Sequence, residues 1–533
     1  MSRITASTLV PIQHPTGLEL TAQLTFEKKP TRLQVRLKTL QKYVEKYPTG
    51  WKKRLELADI LYSLGQWNQA IEQYRLVVER QPHLLNVRLK LGKILQILHQ
   101  TTDAIALYTD ALQYTNDDDE ATRHHFNGLL HECHKQVTEA TQAYRHSTDL
   151  EPQNPAHWFA LAHVYSGQGA TVNALDALAH ILDLCPDNVS AHNQRADLLW
   201  SLGAYPEAMK HTEKVLAIAP DYTPALKRLI DHRCRAGLLH DHEGQQTTTL
   251  LKKLQKLSPH APETYQSQAY YHLYKGNPKN GKMALQRYCA DHPTNPFGFC
   301  YYAQFLVHIG NIKEATDLIW RAYQLYPEHL GISQLLCETL PMAEQFQRLE
   351  QCLEPILDRF PNQWSITSTI SKFLVEQRRD VERGLQLAFH STQFHPHLAA
   401  PWFHYGQVLA HCQTYPAALE AMTTGWNNLP TQWFCASSIP AAICIAQCYD
   451  AMENLSLSRT GTGALSQRWW YEVLERSRQL MPFFPALSHY FQGTAHIGLQ
   501  HPEAGSKHLH LALTQQLPYS LSIGMPQSRE PSA

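Results

Sequence analysis

Prolines divide this chain at nearly equal intervals: Pro48, Pro82, Pro186, Pro220, Pro259, Pro293, Pro327, Pro361, Pro396, Pro430, Pro482 and Pro518. Asn116 and Pro152 fill the gap between Pro82 and Pro186. Most steps are 34 residues, and the exceptions are 36, 39, 35, 52 and 36. A chain of 533 residues would otherwise be expected to form several globular domains. A fixed period of this length instead marks a stack of small units, each ending where its proline stops it.

The intervals share an internal pattern. In NPAHWFALAHVYSGQGATVNALDALAHILDLCP, Trp158, Leu161, Ala162 and Tyr165 recur at helical spacing and Gly169 breaks the run. Ala174, Leu178 and Ile181 form a second apolar stripe before Pro186 ends it. That spacing predicts two amphipathic helices of about 14 residues joined by a tight turn. The same frame fits Leu57, Ala58, Leu61, Gly65, Ala70, Tyr74 and Pro82, and again Ala196, Leu199, Gly203, Ala208, Val215 and Pro220.

These positions resemble the tetratricopeptide repeat family, whose motif W-x2-L-G-x2-Y is followed by Gly, Ala, an aromatic, Ala and Pro at matching offsets. The resemblance runs from about residue 31 to residue 518 and implies an all-α, right-handed superhelix of about 12 to 13 helix-turn-helix units. Small residues such as Ala162 and Ala174 would let the two helices of a unit approach closely. Residues 31–50 read as a capping helix, 51–259 as an N-terminal array with an insertion near 238–248, and 260–430 as a central array. Residues 431–518 read as degenerate repeats with a long loop at 453–464. Residues 1–30 and 519–533 lack the pattern and are expected to be extended or disordered. The unit closing at Pro361 carries Pro341 and Glu344 where the turn glycine belongs, which puts its geometry in question.

Composition narrows the function. Lys and Arg number 47, as do Asp and Glu, so no global positive field gathers nucleic acid or an anionic membrane. No run of about 18 apolar residues exists to span a bilayer. Eleven cysteines without a CxxC pair read as scattered reduced thiols, and the expected location is the cytoplasm.

Several short stretches imitate chemical sites. HHFNGLLHECHK, residues 124 to 135, is the densest. His124 and His131 take the Trp and Tyr positions of their unit and face its partner helix. His125, Glu132 and Cys133 fall on the other side. His125 and Glu132 with His163 are the one set that would converge on zinc, but packing and groove lining is the expected role, and no metal is assigned. GNPKNGKM matches a phosphate loop but has Met283 where magnesium chemistry needs Ser or Thr, and AYYHLYK before it reads as helix. The acidic cluster TNDDDEAT caps a helix start. Lys52, Lys53 and Arg54 read as a solvated face, HDHE (240 to 243) as a solvated loop, and Cys444 with Cys448 as buried thiols.

The resemblance implies a concave wall lined by the first helix of each unit. Projected onto this chain, that wall comprises His125, Phe159, His163, Asn193, Asp197, Lys227, Asp231 and Gln266, then Tyr270, Tyr301, Gln304, His308, Phe403, His404 and Gln407. The set is polar and aromatic, suited to the backbone amides of an extended peptide. It lacks the Lys, Asn and Arg combination that some family members use for chaperone tails. The expected function is a non-enzymatic scaffold or adaptor binding a protein or peptide segment, without cofactor or nucleic acid, and with self-association open. The alternative is the substrate-recruiting accessory subunit of a separate glycosyltransferase-like or methyltransferase-like enzyme, because no repeat-free stretch exceeds about 30 residues to house a catalytic domain.

Overall fold

The computed structural model describes residues 32–63, 66–98, 100–115, 119–377, 379–455 and 462–518. Residues 1–30, 519–533, Gly65, Asn116 and the central part of the connection at 453–464 lie outside the described residues. Among the described residues, all regular structure is helical, with 27 α-helices and no strand. The first helix, Arg32–Lys46, lies against Trp51–Ser63, and the remaining helices follow as consecutive antiparallel pairs ending with Pro485–Gly498 and Pro502–Thr514.

Sequence chemistry explains where each helix starts and stops. Asn154, Asn188 and Asn295 cap first helices, their side chains accepting from Ala156, Ala191 and Phe297 N–H groups at 3.0 to 3.1 Å. Glycines close the first helices at Gly169, Gly203, Gly237, Gly276 and Gly310, all with φ between 73° and 81°. Elsewhere Lys135, Glu344 and Gln413 adopt the same left-handed turn at φ of 59°, 56° and 63°. The unit with Pro341 and Glu344 therefore keeps the turn of its neighbours, and Pro341 sits at the end of the helix Leu330–Met342, where its carbonyl still accepts from the Glu344 N–H at 3.1 Å. The insertion near 238–248 is absorbed differently from a loop. It lengthens the second helix to 17 residues, Asp241–Leu257, so HDHE is a helix start and not a solvated loop.

Close approach within a unit rests on small residues opposite large rings. A Cβ on Gly92 would lie 2.2 Å from the Tyr108 ring, and one on Gly128 would lie 2.5 Å from Tyr144. Both tyrosines are fully buried. Gly281, from the phosphate-loop lookalike, abuts the Ala269 carbonyl and the Phe305 ring, a packing role.

The Trp position has a second duty. Trp158 and Trp402 donate from Nε1 to the carbonyls of Pro152 and Pro396 at 2.8 and 2.9 Å, six residues upstream. His192 reaches Pro186, Arg88 reaches Pro82 and Arg54 reaches Pro48 in the same way, at 2.9 to 3.0 Å. In these units the position supplies a donor for a carbonyl left over at the unit boundary, whereas at Leu226 and Phe299 the carbonyls of Pro220 and Pro293 accept instead from Lys253 Nζ and the Tyr326 hydroxyl. Trp402→Phe is accordingly expected to cost about 1–2 kcal/mol in denaturant titration, and Trp402→His to recover part of it. Equal losses would mean that ring volume governs the site.

The units also meet out of sequence. The N–H of Ala436 donates to the Gly203 carbonyl at 3.2 Å, and Ser437 Oγ donates to the Leu202 carbonyl at 2.7 Å. Ser437 and Leu202 are 235 residues apart, so one superhelical turn takes about seven units of 34 residues. Along the same seam Gly169 meets Leu398, Arg195 lies 5.7 Å from the Trp433 ring, and Phe484 packs at a tilt on Tyr205 with centroids 4.6 Å apart. Leu199, Leu202, Ala204 and Ala208 share one apolar cluster with Phe403, Cys435, Ala441 and Ile445. The superhelix thus rests its second turn on the rim of its first.

Candidate functional site: the inner wall

Residues at the fifth, sixth and ninth positions of the first helices join neighbouring units into networks. Asn193 and Asp197 are tied together at 3.0 Å, and Arg228 of the next unit donates to Asn193 at 3.1 Å and pairs with Asp197. Lys227 lies 3.9 Å from Asp231 and over the Tyr301 ring at 5.8 Å. Ser267 donates to Asp231 at 3.5 Å, and Tyr301 donates to Glu263 at 3.2 Å. Gln266 Nε2 donates to Gln304 at 3.5 Å. Further along, Gln334 donates to Glu338 at 3.1 Å, and Lys372 lies 3.9 Å from Glu376.

Two wall residues have polar atoms with nothing to bond. Gln266 is 9% exposed and its Oε1 finds no partner, while His404 is 5% exposed and its Nε2 finds none. Burial and nearby Lys372 push the His404 imidazole down to about 3, so the ring is neutral at physiological pH. Glu338 is pushed above the usual carboxylate range by burial, against the pull of Gln334 and Lys372.

The remaining projected residues are less uniform. Tyr270 meets Phe305 at 5.7 Å and His308 at 5.5 Å. His308 is pushed down to about 4, chiefly by burial. Phe159 and Gln407 are half-buried, and His163 is exposed with its Nδ1 3.2 Å from Glu132. Asn193, Tyr270, Tyr301, Phe403, His404 and His125 are all buried, and for two of them the packing partners are explicit. His125 is 6% exposed, sandwiched by Tyr144 at 5.4 Å and bonded through Nδ1 to His157 Nδ1 at 2.9 Å. Phe403 is also buried and fills the space over Gly425. Because His125 spends Nδ1 on His157, it does not join Glu132 and His163. Among the described residues no group of three or more His, Cys, Asp or Glu side chains is arranged to hold a metal ion.

Sequence reading missed Arg228, Glu338 and Lys372, which stand one residue or one unit away from projected positions. It also missed Arg235, Phe483 and Phe484, whose place depends on the seam. The thiols near the wall are held protonated, Cys300 being pushed up to about 12 by burial. Cys444 and Cys448 are both buried.

A family model described as tetratricopeptide repeat matches residues 54–83. The chain is 29% identical over 107 residues to an Arabidopsis thaliana CTR9 homolog, covering 20% of this chain and 10% of that protein. It is 25% identical over 184 residues to mouse (Mus musculus) tetratricopeptide repeat protein 21A, covering 34% of this chain and 14% of the other. These matches span only a small part of either relative. The crystal structure of yeast Tom70 aligns over 77% of this chain and 96% of its own, at 10% identity and a TM-score of 0.36. Among the described residues no helix is long and apolar enough to cross a membrane.

Proposed function

We propose, from the premise that this chain is a tetratricopeptide-repeat protein, that it is a non-enzymatic scaffold holding an extended polypeptide segment against its inner wall to assemble or regulate a complex. The observation that carries this reading is the pair of unbonded atoms, Gln266 Oε1 and His404 Nε2. A buried polar atom without a partner costs about 1–3 kcal/mol, and a peptide backbone supplies both an N–H and a carbonyl to such atoms. The balanced charge of the chain favours a polypeptide over nucleic acid. In this reading the protein is an adaptor of the cytoplasm, where its eleven thiols stay reduced.

The test places a photo-cross-linking residue at position 266 and, separately, at Met283, an exposed site on a second helix. Cross-linked polypeptide is expected from position 266, competed by Tyr301→Ala, and not from position 283. Capture equal at the two sites, or indifferent to Tyr301→Ala, contradicts the wall assignment.

A further inference from the structure

The seam brings a cation, Arg235, against aromatic rings from two superhelical turns. Arg235 ends the helix Thr223–Arg235. Its guanidinium carbon lies 5.5 Å from the Tyr270 ring centroid and 5.5 Å from that of Phe484. Tyr270 belongs to the following unit, and Phe484 arrives from the next superhelical turn. Tyr205 backs Phe484 at 4.6 Å. Neighbouring arginines on the same helix are engaged: Arg228 with Asn193 and Asp197, Arg233 with Glu243 and Thr247. Arg235 makes no hydrogen bond or ion pair among the described residues. Asp231, one turn earlier, attracts Arg235 through space without an ion-pair contact to it, and itself faces Lys227 at 3.9 Å and accepts from Ser267 at 3.5 Å.

A guanidinium with aromatic rings beside it is partly stripped of water there but keeps its N–H fork in the plane. The ligand that matches such a fork is a planar carboxylate, bound through two parallel hydrogen bonds. Resting on the scaffold reading above, we propose that Arg235 receives the carboxylate of an acidic residue in the polypeptide held by the inner wall, and that this receptor is complete only while Phe484 of the second turn rests on it. Carboxylate binding and closure of the seam are then coupled, each favouring the other by the same factor. The site is built from two turns, so no isolated run of repeats contains it.

The test uses the full chain with fluorescein-labelled octaglutamate and octaglutamine, read by fluorescence anisotropy. Octaglutamate is expected to bind more tightly than octaglutamine. Arg235→Gln should weaken octaglutamate about tenfold and leave octaglutamine unchanged. Arg235→Lys should recover only part of the loss, because an ammonium lacks the fork. Phe484→Ala should weaken octaglutamate several-fold, and thermal melts confirm that each variant is folded. An octaglutamate affinity indifferent to Arg235→Gln overturns the subsite, as does a native chain that binds neither probe. Octaglutamate binding that emerges only after removal of residues 519–533 overturns the partner reading and gives the site to the chain's own tail. Cross-linking at position 266 does not involve Arg235, so it decides the scaffold reading separately.

Discussion

Gly203→Ala is expected to unfasten the two turns of the superhelix, whereas Gly237→Ala, the equivalent turn one unit later, is not. Both glycines are left-handed, with φ of 79° and 76°, so alanine brings about the same 1–2 kcal/mol of backbone strain to each. Their surroundings differ. A Cβ at position 203 would sit 2.8 Å from the Ala436 nitrogen and 2.9 Å from its Cβ, while one at 237 meets nothing within 4 Å. The obstruction at 203 is backbone, which cannot swing aside as a flexible side chain would. Overpacking of this kind costs about 1–3 kcal/mol beyond the strain. Thermal unfolding should therefore fall further for Gly203→Ala, and small-angle scattering should show an expanded chain for that variant alone. Equal melting points and equal radii would mean that the contact between Gly203 and Ala436 does not hold the turns together.

Acid is expected to destabilise the array well before its carboxylates protonate. Burial pushes His125 and His404 down to about 3, and His211, His232 and His308 down to about 4, with neighbouring cationic groups adding to the effect. In the unfolded chain each titrates near 6.5. Between those values the unfolded state binds more protons than the folded one, so stability is full above about pH 6.5 and falls as pH drops toward 4. Each such histidine contributes on the order of 1.4 kcal/mol per pH unit inside that window. The ring pairs sharpen the effect. His125 with His157, His192 with His211 and His489 with His508 meet Nδ1 to Nδ1 at 2.8 to 3.1 Å, which requires one nitrogen to donate and the other to accept. Protonating both rings sets two N–H groups against each other. Denaturant midpoints should be flat from pH 8 to 7 and decline steeply below 6.5, and His404→Gln should make the decline shallower. Midpoints unchanged down to pH 5 would contradict this account.

The period was legible in the prolines because each unit ends where a closing proline stops its second helix. Turn geometry was less legible. Glu344 and Gln413 take the left-handed conformation that glycine marks elsewhere, since the packing of the two helices dictates the turn and the residue there bears the strain. At the Trp position the family pattern suggests an aromatic, yet His192 and Arg88 serve because in their units the side chain supplies the N–H for the upstream carbonyl. Within the insertion near 238–248, HDHE read as a solvated loop. Gly244 is buried against the Leu239 carbonyl, however, where a Cβ would fall 2.4 Å away, so the helix runs through it.

The wall was legible only in part. The spacing located Asn193, Asp197, Gln266, Tyr301 and their neighbours on first helices. It did not reveal that His125 and Phe403 turn into the packing between helices, where Tyr144, His157 and Gly425 leave room for their rings. The seam left no local trace at all. Contacts between residues 235 apart depend on the small rotation accumulated over a whole turn, which no single unit encodes. Phe483 and Phe484 lie in the stretch with the weakest repeat pattern, and they contact Tyr205 and His232.

Photo-cross-linking from position 484 tests the stacked superhelix most directly, with p-benzoylphenylalanine replacing the phenylalanine in the purified full chain. The stacked arrangement predicts an intramolecular adduct at monomer mass on peptides containing Trp200, Tyr205 or Arg235. Adducts confined to residues 462–518, or formed only between separate chains, would contradict it.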